Sequence, residues 1–519
     1  MTGGGILTLI AYGAQNVILS GNPQMTYFYK AFKRYTHFAM ENIAIPLEGP
    51  NEVSYDTPIR LRAKIPRYGD LLSELYFVFR LPDIFSKNIP PISGGRISQW
   101  EFQWVRYIGA AMIQNAAFFV GGQKIQEFDG SYLVSRALLD MDQDTFAKWR
   151  TLVGDNAELT NPSEGVYAGG TSGTGYPTVI ANPTLPPGIP QTNRPSIFGQ
   201  TIYVPLSFWF TESPSQAVPL VGLQGHECEI QLTLAPLNTL YTVLDDTGLR
   251  VNPDFKSNST QTELETNNPL YASNSDTSPQ IRNFLTDIGV TPPPLNSIFM
   301  NARLQGNFVY LPKDEQTIFA GRPLAYCMRQ ITPYPFQGLI NRQVVDLQTH
   351  NPITRLLVVQ RRSDSVNRND FVNFTNWVNY PNAPYQPTPG ILAASQQSGT
   401  SGLLIPNAQR DIIRSLRVLC DGNEIQEARP SEFFNWLSTY QYVKGIGQDG
   451  LLLYSFQLDQ NPIQPSGSIN SSKIRVFQLE LDVYPLPVNP NYTYDVTVYV
   501  ENLNWFEVAS GMGGLKYAL

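Results

Sequence analysis

Three acidic residues stand at alternate positions, Asp140, Asp142 and Asp144, as they do at the start of an EF-hand calcium loop. Such a loop also needs a glycine directly after the third acid and a bidentate glutamate at its last position. This chain has Thr145 and Thr151 there instead. The pattern therefore indicates a solvated, acidic helix face rather than a calcium site.

A second stretch that could do chemistry is the glycine-rich run GGTSGTG at residues 169–175. Its backbone could cradle a phosphate, but it lacks the lysine and the strand-to-helix context of a P-loop. It also misses the spacing of a nucleophile elbow, because Thr174 stands where a glycine is required. The run is more typical of a flexible loop.

Histidines and paired acids are the remaining candidates for catalysis or metal binding. The 3 histidines lie far apart in the sequence, and none has a second histidine at ligand spacing: His37, His226 and His350. Two acid pairs could act as general acid and base, although carboxylates on the wet face of a strand are ordinary: Asp245 with Asp246, and Glu227 with Glu229. We therefore predict no catalytic, cofactor-binding or metal-binding residues, and a protein that is not an enzyme.

Size and charge limit the classes of function. At 519 residues the chain exceeds the roughly 250–300 residues at which single cores stop growing, so two or more domains are expected. Only 15% of the residues are charged, and charged side chains are depleted from the cores of subunit interfaces. A surface of uncharged polar residues is the alternative explanation. The net charge of −7 argues against a general nucleic-acid binder.

Cysteine usage and hydropathy bear on the compartment. Cys228, Cys327 and Cys420 are far apart and odd in number, which gives no disulfide framework or zinc spacing. A reducing compartment is the default expectation, with Cys228 and Cys420 as small core residues of strands. The N-terminal sequence lacks the pattern of a secretory signal, and no run of about 18 apolar residues predicts a membrane span.

The sequence contains a long-period repeat. The run GQKIQE at residues 122–127 returns as GNEIQE at residues 422–427, and each copy follows an apolar run. Each also precedes an aromatic-rich segment that a serine opens, Ser131 or Ser431. A repeat with so long a period indicates a duplicated domain. We therefore expect Gly122 and Gly422 to occupy equivalent tight turns.

Three further pairs of segments follow each other in the same order in both halves: 72–79 with 353–360, 205–214 with 453–462, and 303–310 with 495–502. Their spacing drifts, as expected if equivalent strands are joined by loops of unequal length.

Apolar and polar residues alternate in several short runs, which predicts strands with one core face and one wetter face: 59–65, 227–234, 477–483 and 496–500. Short alternating strands separated by proline and glycine indicate antiparallel sandwiches. Helices are expected at only three places, the first two with a serine cap: 131–153, 431–443 and 314–319. Three stretches are expected to be long loops: 161–196, 238–296 and 381–402.

Several motifs carry a family resemblance: LIAYGAQN at 9–16, GNPQMTYF at 21–28, VPLSFWF at 204–210, PSGSINSSKI at 465–474 and SGMGGL at 510–515. Together they resemble the major capsid proteins of the nucleocytoplasmic large DNA viruses, such as phycodnaviruses, iridoviruses and giant viruses. The resemblance runs along nearly the whole chain, but the middle loops show no match.

The resemblance implies an all-β fold of two tandem eight-stranded antiparallel jelly rolls, with short helices and long loops. It implies an N-terminal arm at 1–25, a first jelly roll with long inserted loops at 26–325, and a second jelly roll with a C-terminal tail at 326–519. It also implies homotrimeric, pseudo-hexagonal capsomers of an icosahedral shell, because two near-copies per chain turn a threefold ring into a six-sided outline. The long loops would form outward towers.

The implied partners are the chain itself, within the trimer and in neighbouring capsomers, and minor capsid and penton proteins. The arm would face the minor capsid proteins. Contact with proteins of an inner viral membrane is a further expectation, whereas direct contact with nucleic acid is not expected. The protein would reside in the virion capsid and assemble in the cytoplasm of the host cell.

Two other classes of function remain open on the sequence. A carbohydrate-binding β-sandwich would carry its site on the loops, with exposed Trp and Tyr stacking on sugars. A metal-dependent jelly-roll enzyme is the other alternative, and the absence of a clustered histidine pair argues against it.

Overall fold

The computed structural model describes residues 3–86, 100–162, 195–244, 250–254, 278–287, 290–378, 380–381, 409–460, 463–486 and 490–517. The chain forms two compact units, Met1–Ala39 and Met40–Leu519. The first unit holds two short helices, α1 (Gly4–Ile10) and α2 (Ala14–Ser20), and all of its described residues are exposed.

The second unit is built from strands. Its first half contains, in chain order, β1 (Ala39–Pro46), β2 (Glu52–Ser54), β3 (Ile59–Lys64), β4 (Leu71–Arg80), β5 (Phe102–Trp104), β6 (Ile113–Val120), β7 (Gln123–Phe128), β8 (Thr201–Pro205), β9 (Val218–Pro219), β10 (Cys228–Leu234), β11 (Tyr241–Leu244), β12 (Arg250–Val251), β13 (Ser297–Phe299) and β14 (Arg303–Tyr310). Its second half contains β15 (Leu324–Leu339), β16 (Gln343–Leu347), β17 (Pro352–Arg362), β18 (Ile413–Cys420), β19 (Asn423–Pro430), β20 (Leu451–Ser455), β21 (Ile469–Asn470), β22 (Phe477–Val483), β23 (Tyr494–Ala509) and β24 (Met512–Leu515).

Each half folds into two main sheets with the same strand order. In the first half the paths are β1-β14-β4-β8 and β3-β10-β6-β7. In the second half they are β15-β23-β17-β20 and β16-β22-β18-β19. Small additions extend this plan, namely β9 beside β4, β21 beside β17, β24 beside β23, and the minor sheets β12-β11-β5 and β13-β2. The predicted fold class, an all-β double jelly roll, is confirmed.

Helices connect the strands at a few points. They are α3 (Ile108–Ala111), α4 (Gly130–Asp140), α5 (Gln143–Leu152), α6 (Ala157–Thr160), α7 (Lys313–Gly321) and a helical segment at 431–442 made of a π-helix (Phe433–Leu437) and α8 (Ser438–Tyr442). Single 3₁₀ turns lie at Trp209–Thr211, Pro214–Gln216, Leu220–Gly222, Leu237–Thr239, Ile281–Phe284, Ser363–Arg368 and Ser471–Lys473.

The helix predicted at 131–153 is in fact two helices, α4 and α5. The break comes at Met141, because Asp142 caps α5 by accepting the Thr145 N–H at 3.2 Å. The expected serine cap is wrong for α4, since Asp129 accepts the Tyr132 N–H at 2.7 Å. The helices predicted at 431–443 and 314–319 are confirmed, but the expected serine cap is wrong for the first of them, since Ser431 lies within its first turn.

The repeated glycines occupy equivalent tight turns, as predicted. The β6–β7 hairpin turns through Gly121 and Gly122 with φ of 57° and 82°. The β18–β19 hairpin turns through Asp421 and Gly422 with φ of 50° and 79°. Two positive φ values in a two-residue loop match the twist of the flanking strands.

The other correspondences hold to different degrees. Tyr76 lies opposite Pro205 in β8, and Leu357 lies opposite Leu453 in β20, which confirms both of those alignments residue for residue. The alignment of 303–310 with 495–502 identifies the right pair of equivalent strands, β14 and β23. It is shifted by two residues, because the strand pairing makes Arg303 equivalent to Thr497. A two-residue slip keeps every side chain on the same face, so an apolar pattern cannot detect it.

The expected loops are only partly described. Most of 161–196, including the glycine-rich run 169–175, lies outside the described residues, as do Asp245, Asp246 and 382–402. The stretch 238–296 is not a simple loop, because it contains β11 and β12. Tyr241 of β11 stacks on Phe102 of β5, with ring centroids 4.6 Å apart. The aromatic and β-branched residues of β11 favour a strand, although the run is short and lies among polar neighbours.

Two apolar cores fill the second unit, and one sheet lies between them. Leu356, Val358 and Val498 point into the core of the second roll. Their neighbours Leu357 and Tyr499 point the other way, into the core that begins in the first roll. Both faces of the β15-β23-β17-β20 sheet are therefore buried, one of them by the first roll.

Candidate functional site: the junction between the rolls

Helix α4 of the first roll lies on the outer face of the second roll's sheet. Tyr132 donates its hydroxyl to Glu501 Oε1 at 2.8 Å, and Tyr499 donates to Asp129 Oδ2 at 2.7 Å. Arg361 Nη2 donates to Ser131 Oγ at 2.9 Å. Side chains of α4 and of β17 and β23 thus satisfy one another's polar groups across the junction.

A buried ion pair forms the centre of the junction. Arg355 Nε lies 2.6 Å from Glu501 Oε2, and both side chains are fully buried. The same guanidinium reaches the first roll, where its Nη1 and Nη2 donate to the two carboxylate oxygens of Asp140 at 2.7 and 2.9 Å. A bidentate contact of this kind fixes orientation as well as distance.

Further charges extend the pair into a cluster. Arg136 Nη2 lies 2.8 Å from Glu212 Oε1, and its Nε lies 3.3 Å from Asp140 Oδ2. Arg329 of β15 lies 3.3 Å from Glu501 and 3.7 Å from Glu212. The cluster therefore balances positive guanidinium groups against carboxylates from both rolls. A cavity of about 460 Å³ opens beside it.

The arginines keep the buried carboxylates ionised. Burial by itself raises the pKa of a carboxyl group, but Arg355, Arg136 and Arg329 outweigh it and hold the pKa of Asp140 at about 2. Burial also opposes ionisation of Glu501, yet Arg355 and Arg329 lower its pKa below the usual value. Removing one partner would leave an uncompensated charge, which typically costs about 3–5 kcal/mol.

Ile125 and Gln126 of the β6–β7 hairpin, which recur as Ile425 and Gln426, also contact the second roll at the junction. Gln126 Nε2 donates to Arg329 O at 3.1 Å and its Oε1 accepts the Trp209 N–H at 2.8 Å. Gln330 Nε2 donates to Ile125 O at 2.9 Å. Strand β7 therefore covers β15, which is an edge strand of its sheet.

The acidic run 140–144 differs from the expected solvated helix face at Asp140. Asp140 belongs to the ion cluster, so the expected solvated helix face is wrong for this residue. Asp142 is a helix cap. Within the described ranges, no group of three or more His, Cys, Asp or Glu side chains is placed to hold a metal ion.

The other candidates are not part of the ion cluster, although His226 also makes a contact between the two rolls. Glu227 pairs with Lys64 at 3.1 Å and Glu229 pairs with Arg62, which are ordinary contacts across β3 and β10. His226 Nδ1 lies 3.0 Å from Gly513 O. His37 and His350 are exposed. Among the described helices, none is long and apolar enough to cross a membrane.

Sequence reasoning missed the ion cluster, because its members come from distant elements. One local signal was available. Arg355 and Glu501 are the single charged residues of two mostly apolar runs, 353–359 and 496–503 respectively. A charge within a strand buried on both faces needs a partner of opposite sign.

Comparison with known proteins identifies the family of this double jelly roll. The family model "Major capsid protein N-terminus" matches residues 26–266, and the model "Large eukaryotic DNA virus major capsid protein" matches residues 315–514. The chain belongs to the major capsid protein family of large eukaryotic DNA viruses. The two models match different halves of the chain.

Relatives and solved structures agree with this assignment. The chain is 25% identical to the major capsid proteins of Phaeocystis pouchetii virus and of Paramecium bursaria Chlorella virus 1, over 99% of both chains in each comparison. The quasi-atomic model of the PBCV-1 virus capsid has the same fold, with a TM-score of 0.64 at 19% identity over 95% of this chain and 100% of that chain. The Faustovirus major capsid protein gives a TM-score of 0.62 at 12% identity over 96% and 94%.

Membership of this family assigns a structural, non-enzymatic role in the virion capsid. The junction between the rolls is therefore an architectural site. Its ion cluster and the Ile125–Gln126 contacts join the two sandwiches.

Proposed function

We propose that this capsid protein forms homotrimeric capsomers with a pseudo-hexagonal outline in a large icosahedral shell. The observation that carries the proposal is the equal strand order of two rolls within one chain. In this proposal residues 1–25 form an arm, and the boundary between the rolls lies near residue 325, where β15 begins. The long loops between strands form the outward towers of the capsomer.

Duplication explains why such a trimer suits a flat facet. A ring of three identical chains has threefold symmetry, whereas three chains with two similar rolls present six similar wedges. The contact between chains is heterologous, with the second roll of one chain against the first roll of the next. Obligate contacts of this kind bury roughly 2,000 Å² or more.

The N-terminal unit supports contact with other capsid components. It exposes large apolar side chains, among them Leu9, Ile18 and Leu19 of the arm. Exposed apolar groups in such number are typical of a segment that binds a protein partner. We assign this arm to minor capsid proteins, and the outer edges of the capsomer to neighbouring capsomers and penton proteins. Assembly takes place in the host cytoplasm, where the shell also meets proteins of an inner viral membrane.

Light scattering coupled to size-exclusion chromatography tests the trimer directly. The particle should have three times the 58.1 kDa mass of the chain. Negative-stain images of that peak should show a hexagonal outline with threefold symmetry. A stable monomer at micromolar concentration contradicts the proposal.

A further inference from the structure

Two elements of the first roll, β7 and α4, are buried at the junction. Their counterparts in the second roll, β19 and the helical segment 431–442, are partly exposed. Ile125 of the β6–β7 hairpin is 1% exposed, whereas Ile425 at the same place of the β18–β19 hairpin is 39% exposed. Helix α4 is buried along most of its length, whereas the helical segment 431–442 exposes Trp436 by 55% and Tyr440 by 87%. The second roll thus presents an apolar face whose counterpart is covered.

The burial of the outer sheet faces differs in the opposite sense. The outer face of the β15-β23-β17-β20 sheet is buried in the second roll, whereas that of the β1-β14-β4-β8 sheet is only half-buried in the first. Strand pairing aligns Tyr76 with Leu357, Gln305 with Tyr499 and Asn307 with Glu501. The three residues of the second roll are buried under α4, and the three residues of the first roll are half-buried.

The edge strands of these sheets differ in the same way. In the second roll, β15 is covered by β7, and its Met328 is 1% exposed. In the first roll, β1 is the corresponding edge strand, and its Met40 is 64% exposed. An edge strand with free polar groups is normally covered in a native assembly.

We propose that the face formed by β19 and the helical segment 431–442 docks on the outer face of the β1-β14-β4 sheet of a second copy of this chain. The contact repeats between chains the junction that β7 and α4 form within the chain. This inference rests on the proposed trimer and assigns its contact surfaces to particular elements.

The repeated glutamine fits this assignment. In the first roll, the buried Gln126 donates to the backbone of edge strand β15. In the second roll, Gln426 is half-buried and, within the described part of the chain, its amide donates a 3.3 Å bond to the carbonyl of the adjacent Glu427. Its amide is therefore in place to donate to the backbone of β1 in the next chain. The Ile-Gln pair thus has one function in both copies, to cover the edge strand of the following roll.

Position-specific photo-crosslinking tests the contact. A benzophenone amino acid replaces Trp436, and labelled and unlabelled chains are mixed so that mass spectrometry separates bonds between chains from bonds within them. The crosslink should join position 436 to a peptide within 40–46, 71–80 or 303–310 of another copy. The matched control places the same group at Phe299, an exposed aromatic residue of β13 that lies outside both proposed surfaces.

A substitution provides the second measurement. Trp436→Glu should raise the concentration at which the trimer dissociates by roughly ten- to thirty-fold, because exposed tryptophans at interfaces carry a large share of the binding energy. Phe299→Glu should leave that concentration unchanged. Thermal unfolding of the isolated chain should be similar in both variants, because both side chains are solvent-exposed.

The outcomes separate this inference from the proposal on which it rests. If the wild-type protein is a trimer but the 436 crosslinks map elsewhere, or Trp436→Glu leaves dissociation unchanged, the contact assignment is overturned and the trimer stands. If the wild-type protein is a monomer, both are overturned.

Discussion

Ser73 and Thr354 occupy the same position in the two rolls, and each donates its hydroxyl across a β-bulge to the adjacent strand. Ser73 Oγ lies 3.3 Å from Asn307 O, and Thr354 Oγ1 lies 3.2 Å from Glu501 O. In both rolls the register skips this residue, so it is the extra residue of the bulge. Bulges are specific local features, so the duplication extends to irregularities that no apolar pattern specifies.

The buried ion pair should contribute far more to stability than an exposed one. Arg355→Ala removes the arginine nearest to both Glu501 and Asp140, and Arg329 and Arg136 compensate only part of their charge. We expect a loss of about 3–5 kcal/mol in the free energy of unfolding. The control is Arg62→Ala, which removes a cross-strand pair with Glu229 at the surface and should cost at most about 1 kcal/mol. Urea unfolding of the two variants measures both values. Equal losses would show that the cluster does not hold the rolls together.

Acid should weaken the junction in a defined pH window. The folded-state pKa of Asp140 is about 2, below the value of about 3.9 for an unfolded aspartate. The unfolded chain therefore takes up the proton first as the pH falls. The stabilisation is fully present above about pH 4 and is lost as the pH approaches 2, and the lowered pKa of Glu501 acts in the same direction.

Unfolding free energies measured from pH 6 down to pH 2 test this dependence. In the Arg355→Met variant Asp140 and Glu501 lose their main stabilising partner. The part of the unfolding free energy that they lose on acidification should therefore be smaller, and the loss should begin at a higher pH. A variant whose pH profile matches that of the wild type would contradict the assignment of the acid dependence to this cluster.

The two turn glycines should be sensitive to substitution for a purely conformational reason. A Cβ atom on Gly422 would meet no heavy atom within 4 Å, but the φ of 79° disfavours an L-residue. We expect Gly422→Ala to lower the free energy of unfolding by about 1–2 kcal/mol. Gly422→Asn should cost less, because asparagine tolerates the left-handed region. Thermal unfolding distinguishes the two, and an equal effect of both would contradict this reason.

The repeated glutamines should respond differently to the same substitution. Gln126→Ala leaves Arg329 O and the Trp209 N–H without their partner inside the chain, so we expect a loss of about 1–3 kcal/mol in the free energy of unfolding. Gln426→Ala should leave the stability of the single chain within about 0.5 kcal/mol of wild type.

Dilution experiments on the same two variants measure the protein concentration at which the oligomer dissociates. Gln426→Ala should shift the dissociation of the oligomer to higher protein concentration. An oligomer that is as resistant to dilution as the wild type would remove Gln426 from the contact between chains.

The sequence predicted the elements whose signal is local. The hairpins at Gly122 and Gly422 and the strands at 227–234 and 477–483 were recognisable because turn residues and alternating runs lie close together along the chain. The β14–β23 register was not recoverable, since a shift by two residues preserves the face of each side chain.

The junction could not be predicted for a different reason. Its charged residues come from α4, β15, β17, β23 and the turn after β8, so they approach one another only when the two rolls pack. Asp140 in particular looked like part of a solvated helix face, because its neighbours Asp142 and Asp144 do have that character. The partner that changes its role, Arg355, stands far along the chain.

The sheet that is buried on both faces has a mechanical consequence. The two sandwiches cannot move independently of each other, because the β15-β23-β17-β20 sheet contributes side chains to both apolar cores. A pulling force on one sandwich is therefore passed to the other through packed side chains and the Arg355–Asp140 contact. The packed interface therefore opposes bending of one roll against the other.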